Sequence, residues 1–277
     1  EFAPLAIGGF LPLDTVYNYN PLPAELTPEE QAYIIGVQAN IWGEYIQTPE
    51  YFEYMAFPRL LAMSEVQWTQ PEHKDFESFA RRLDKEFERL DYCGVNACRN
   101  FYEVNQTGAW NKSQQTYEVT LNTFCPDADI YYAVNDSTVN TSSSLYETPI
   151  PLDEDATVYS AVYRDGKPLG KVTCKSFAVN KATGCDYTCN PEAGWEHLNK
   201  GFGLTDGRRG YARDMRRWIS FYQDTVQIVV ELKKPQKVKE VAFSSLWRPV
   251  NEIWPARAMS VSCLLYTSPS PRDVEES

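Results

Sequence analysis

The rhythm of apolar and polar positions changes twice along the chain. From residue 76 the apolar residues Phe76, Phe79, Leu83, Phe87 and Leu90 recur at helical spacing, with Arg81, Arg82, Lys85 and Glu88 between them, which predicts one amphipathic helix with a core-facing stripe. Before it, Thr48-Pro49-Glu50 opens another helix, with Tyr51, Met55, Leu60 and Met63 along one side and Pro58 expected to kink it. Thr27-Pro28-Glu29-Glu30 has the form of a helix start, with Thr as cap, Pro in the first turn and acids beside it. Residues 1–30 otherwise read as loop, because five prolines interrupt every period. Between these helices the run Ile34–Ile46 predicts a short apolar strand.

After Phe101 the period falls from helical to two. Tyr117–Asn122, Ile130–Val134 and Thr157–Tyr163 alternate or run apolar, separated by turn signals at Pro126-Asp127, Asn135-Asp136-Ser137 and Arg164-Asp165-Gly166-Lys167. Short strands at this spacing predict an antiparallel β-sandwich. Further on, Val226–Leu232 and Val238–Phe243 flank a Lys233-Lys234-Pro235 turn and predict two more strands.

Length and charge narrow the classes. The 277 residues suffice for two or three domains, and a net charge of -12 argues against a nucleic-acid partner. No apolar run is long enough to cross a bilayer, and no signal peptide opens the chain, which is also what a piece of a longer protein would show. The seven cysteines are too scattered for a disulfide framework, so free or locally paired thiols are expected. Cys185-x-x-x-Cys189 has the look of half a metal site, but His73 and His197 are the only histidines, and neither a metal nor a cofactor is expected.

The candidate chemistry lies at the end of the predicted strand. In extended backbone, residues two apart point to one side, so Trp42 and Glu44 can face one ligand together. An indole covers the apolar face of a pyranose, and a carboxylate accepts strong hydrogen bonds from its hydroxyls. A core tryptophan beside a solvated glutamate fits the same spacing.

The surrounding residues add to this reading. Gly36-Val-Gln-Ala-Asn-Ile-Trp-Gly-Glu44 and Ala56-Phe-Pro-Arg-Leu-Leu-Ala-Met-Ser-Glu-Val-Gln-Trp68 resemble the last strand and last helix of the (β/α)8 TIM barrel of glycoside hydrolase family 20, the β-N-acetylhexosaminidases. The resemblance extends upstream through Pro4–Leu13 and Leu26–Glu30. It implies a substrate among N-acetylhexosamine-containing glycans and substrate-assisted retaining hydrolysis. Trp42 would form part of the wall around the sugar, Glu44 would bind its outer hydroxyls, and the protein would be exported.

The family's catalytic Asp-Glu pair has no counterpart here. The chain's only Asp-Glu sequence, Asp153-Glu154, lies among the sandwich strands, and neither Tyr17 nor Tyr19 matches the family's acetamido-binding tyrosine. No residue is therefore assigned as catalytic.

Two further resemblances complete the expected organisation. Cys125–Tyr132 and Arg164–Gly170 are similar to the immunoglobulin-like domain that follows many such barrels. Gly203–Gly210, Trp218 and the strands after it resemble the first half of a discoidin-type (factor 5/8 C) sandwich, a family that often binds carbohydrate and often holds calcium near the turn that Leu204–Gly207 matches. One aspartate is a poor calcium site, and Trp195, Trp218, Trp247 and Trp254 are better explained as core. Cys263–Asp273 reads as translated cloning sequence.

The expected fold is the C-terminal part of a (β/α)8 TIM barrel over 1–100, an immunoglobulin-like β-sandwich over 101–182, a truncated discoidin-like β-sandwich over 183–262, and a non-native tail over 263–277. The rival class is a non-catalytic carbohydrate-binding or adhesive surface protein.

Overall fold

The computed structural model describes residues 11–192, 194, 203–207 and 218–262. The chain packs into two compact units, one built from Glu1–Asn105, Leu121–Glu147 and Tyr159–Cys174, the other from Gln106–Thr120, Thr148–Val158 and Lys175–Ser277.

Among the described residues the first unit holds five α-helices: α1 (Leu13–Tyr17), α2 (Pro28–Gln31), α3 (Pro49–Ala56), α4 (Arg59–Trp68) and α5 (Phe76–Tyr92). Their starts follow the expected local chemistry. At α2 the Thr27 hydroxyl accepts from the Glu30 backbone N–H, and the Glu30 carboxylate accepts from the Thr27 N–H, a complete capping box. Thr48 caps α3 by accepting from the Tyr51 N–H, and Asp75 caps α5 by accepting from those of Glu77 and Ser78. The end of α5 is equally well defined. Gly94, at φ +72°, takes the left-handed position just past it, and the Val95 and Gly94 N–H groups return to the carbonyls of Leu90 and Asp91. The apolar stripe of α5 is core as expected, with Phe79, Leu83 and Phe87 buried.

Three expectations for this part are corrected. Pro58 does not kink one helix; it separates two, and α4 begins just after it. The proline-rich opening is not all loop, because Leu13–Tyr17 form α1, which packs on α4 and buries Tyr17 to 1% exposure. The Tyr17 ring lies 4.9 Å from that of Phe79 and 5.3 Å from that of Phe76, so this tyrosine serves the core. The third correction concerns Ile34–Ile46, which is not a strand. Residues 34–42 carry no ladder to any described residue, and Gly43–Tyr45 form a single 3₁₀ turn. A parallel barrel strand exists only through its neighbours, and without them an apolar segment has nothing to pair with. The Gln67 side-chain amide of α4 ties it down by donating to the Val37 carbonyl at 3.0 Å.

The strands begin at Asn105. β1 (Asn105–Asn111), β2 (Thr116–Asn122) and β5 (Ile150–Leu152) form one sheet in the order β1-β2-β5. A second sheet has the order β4-β3-β6-β7, from β4 (Ser144–Leu145), β3 (Asp129–Val134), β6 (Ala156–Arg164) and β7 (Lys167–Pro168), with β8 (Thr173–Phe177) also paired to β6. The turns fall where the sequence signals them, with Asp127, Asn135, Asp165 and Gly166 all at positive φ. Alternation holds in β2, whose Tyr117, Val119 and Leu121 are buried while the residues between are not. Tyr117 packs on Phe177 of β8 and leaves room only for glycine at 108, where an added Cβ would meet its hydroxyl at 2.2 Å.

Two strands pair among the described residues beyond Val179. β9 (Asp186–Asn190) and β10 (Gln227–Glu231) pair antiparallel, with Val229 opposite Thr188. Val226–Leu232 thus contains the strand that alternation predicts. Val238–Phe243 does not form one, and its Val238, Val241 and Phe243 are exposed. Trp247 and Trp254, read as core, are each 68% exposed, whereas Trp195 and the tail from Cys263 lie outside the described residues.

Candidate functional site

Trp42 and Glu44 sit at the junction that leads from the extended segment into α3. Trp42 is the last extended residue, at φ -81° and ψ 129°, and Glu44 already lies in the 3₁₀ turn. Such a turn repeats every three residues instead of every two, so strand alternation does not carry on through Gly43–Tyr45. The alternation argument thus holds up to Trp42 and stops there. Both side chains are exposed, the indole to 64%, and earlier in the same segment Tyr33, Ile35 and Ile41 also present apolar surface.

Glu65 on α4 accepts from Arg82 of α5 at 2.6 Å, and this bond raises the Arg82 guanidinium above its ordinary range. Asp14, Asn18, Phe76, Glu77 and Phe124 line an open groove of about 460 Å³ that neither Trp42 nor Glu44 borders. Asp153 and Glu154 are exposed in the short connection from β5 to β6, as expected of residues outside a catalytic barrel.

The other sequence candidates resolve into local structure. In the turn at Leu204–Gly207 the Asp206 carboxylate accepts from the Gly203 N–H at 3.0 Å, the Thr205 hydroxyl donates to the Cys185 carbonyl at 2.7 Å, and Gly207 sits at φ +74°. That is how an aspartate ties a turn to itself. Cys185 is buried ahead of β9 and Cys189 is half-buried within it. Among the described residues no three His, Cys, Asp or Glu side chains gather as a metal site, and no two cysteines form a disulfide. No helix among them is long and apolar enough to cross a membrane.

Comparison with known proteins shows what the chain is similar to. Residues 1–71 match the glycosyl hydrolase family 20 catalytic domain, and residues 119–177 match the family described as Fn3 associated. A beta-hexosaminidase of Porphyromonas gingivalis is 53% identical over 93 residues, which are 34% of this chain and 12% of that protein. A beta-N-acetylhexosaminidase of Cellulomonas fimi is 34% identical over 77 residues, 27% of this chain and 15% of the relative. A beta-hexosaminidase of Arthroderma benhamiae is 34% identical over 76 residues, 27% of this chain and 12% of the relative. The resemblance of the amino-terminal segment to family 20 hexosaminidases is thereby borne out. The matched stretch spans only 12% to 15% of the lengths of these relatives.

Proposed function

We propose that the chain is a carboxy-terminal piece of a β-N-acetylhexosaminidase that acts outside the cytoplasm and removes terminal β-linked N-acetylglucosamine or N-acetylgalactosamine. The identity of 53% over 93 residues to a beta-hexosaminidase is the observation that carries this reading. In the mechanism we propose, the substrate's 2-acetamido group attacks the anomeric carbon, an aspartate orients it, and a glutamate protonates the leaving oxygen. That pair belongs to the part of the enzyme outside this chain. This chain contributes the outer side of the sugar subsite. The exposed Trp42 indole is available to pack against the sugar's apolar face, and Glu44 accepts from its hydroxyls. The strand-rich middle serves as an immunoglobulin-like spacer, and the region beyond residue 183 as part of a discoidin-like module.

The test joins this segment to the upstream half of its gene. With a chromogenic N-acetylglucosaminide the joined protein should turn over, and Glu44→Ala should lower kcat/KM by about 10- to 100-fold, the worth of a charged hydrogen bond of about 1.5–3 kcal/mol. Unchanged kcat/KM in Glu44→Ala would remove Glu44 from the subsite. A joined protein that binds the sugar without cleaving it would favour the non-catalytic binder.

A further inference from the structure

The stretch between α5 and the first strand would be the natural place for a flexible linker, yet it is buried and bonded. Ala97, Cys98, Phe101 and Val104 are in the core. The Cys98 N–H donates to the Phe57 carbonyl at 3.0 Å, and the Asn96 N–H to the Glu53 carboxylate at 2.7 Å. The Arg99 guanidinium lies 4.2 Å from the centre of the Phe87 ring.

A second set of contacts crosses from α5 to the strands of the same unit. Arg164, at the end of β6, donates from Nη1 to Asp84 Oδ2 of α5 at 2.6 Å, and from Nη2 to the Pro126 carbonyl at 3.0 Å and to Cys125 Sγ at 2.9 Å. The other Asp84 oxygen accepts from the Tyr102 phenol at 2.7 Å. Arg81, one turn earlier on α5, grips both oxygens of Asp127 in the turn before β3, at 2.9 and 3.1 Å. The Asp84–Arg164 pair is mostly shielded from water, with side chains 32% and 25% exposed. Backbone also approaches closely: a Cβ at Gly170 would meet the Tyr102 carbonyl oxygen at 2.4 Å. Burial and the Asp84 carboxylate both push the Tyr102 phenol upward, so it stays a donor throughout the ordinary pH range.

From these contacts we infer that α5, β3 and residues 159–164 of β6 open and close as one cooperative block, with the Asp84–Arg164 pair as its fastener. The end of β6 and the turn before β3 brace α5 instead of hanging from it. Isolated domains joined by a linker exchange amides independently, whereas one block exchanges them together. This inference rests on geometry alone and does not depend on the hexosaminidase reading.

Hydrogen exchange followed by peptide, on the whole chain across a urea series, tests it. In the unaltered chain, peptides covering 76–92 and 129–134 should lose protection at the same urea concentration. In Arg164→Gln the two should separate, with 76–92 losing protection first. Asp84→Asn keeps the side-chain shape and an acceptor oxygen, and should separate them in the same direction by a smaller urea interval. Different midpoints in the unaltered chain would overturn the inference even if neither variant folds. Coincident and unmoved midpoints in both variants would overturn the role given to the pair.

Discussion

At the scale of single residues, positions with the same apparent chemistry diverge according to what surrounds them. Tyr17 and Trp42 are both aromatic residues within the family 20 match, yet one is sealed under α5 and the other open. Local pattern made Trp42 and Glu44 legible as a pair, but the 3₁₀ turn into which Glu44 falls leaves no periodic signal. Tyr17 was unreadable as core because a helix of five residues behind a proline has too few positions to show a stripe. Asp127 carries a pH consequence. Its hydrogen bond from Arg81 lowers the carboxyl below the usual range, so the tie is fully present above the unfolded value, roughly pH 3.9, and is lost as pH falls through the lower folded one. An NMR titration of Asp127 should therefore show a midpoint below that of a model aspartate, and Arg81→Gln should return it to the ordinary value. Gly108→Ala should cost about 1–3 kcal/mol in chemical denaturation, because Tyr117 must move to admit the methyl.

At the scale of elements, the readable parts are those whose instructions are local. Thr27 and Thr48 announce their helices within four residues, and the stripe of α5 repeats along its own length. The strand β2 also reports itself by alternation. The two strands that fail, at Ile34–Ile46 and Val238–Phe243, have apolar residues enough, but a strand is completed by hydrogen bonds to another segment. Composition says nothing about whether that segment is there. Helix α5 should respond to its cap as an ordinary helix does: Asp75→Ala leaves the Glu77 and Ser78 N–H groups without their acceptor and should lower stability by about 1 kcal/mol in thermal unfolding, while Asp75→Asn recovers most of the loss.

At the scale of the whole molecule, the described residues are unevenly built into helices and strands. Residues 233–262 run mostly without strands and expose Val238, Phe243, Trp247 and Trp254, so limited proteolysis should cut there before it cuts 116–164. If the proposed function holds, the chain on its own should match the buffer blank with a chromogenic N-acetylglucosaminide, because the proposed general acid is not among its residues; general acid help alone is worth ~10²–10⁴ in rate. The exposed apolar side chains of the amino-terminal segment have a practical corollary as well. Ile35 at 99% exposure, Trp68 at 88% and Tyr33 at 86% give water a poor surface to wet. A purified sample should behave like a weak surfactant: it should brighten a solvatochromic dye, cling to plastic and chromatography resin at low salt, and sediment faster as its concentration is raised.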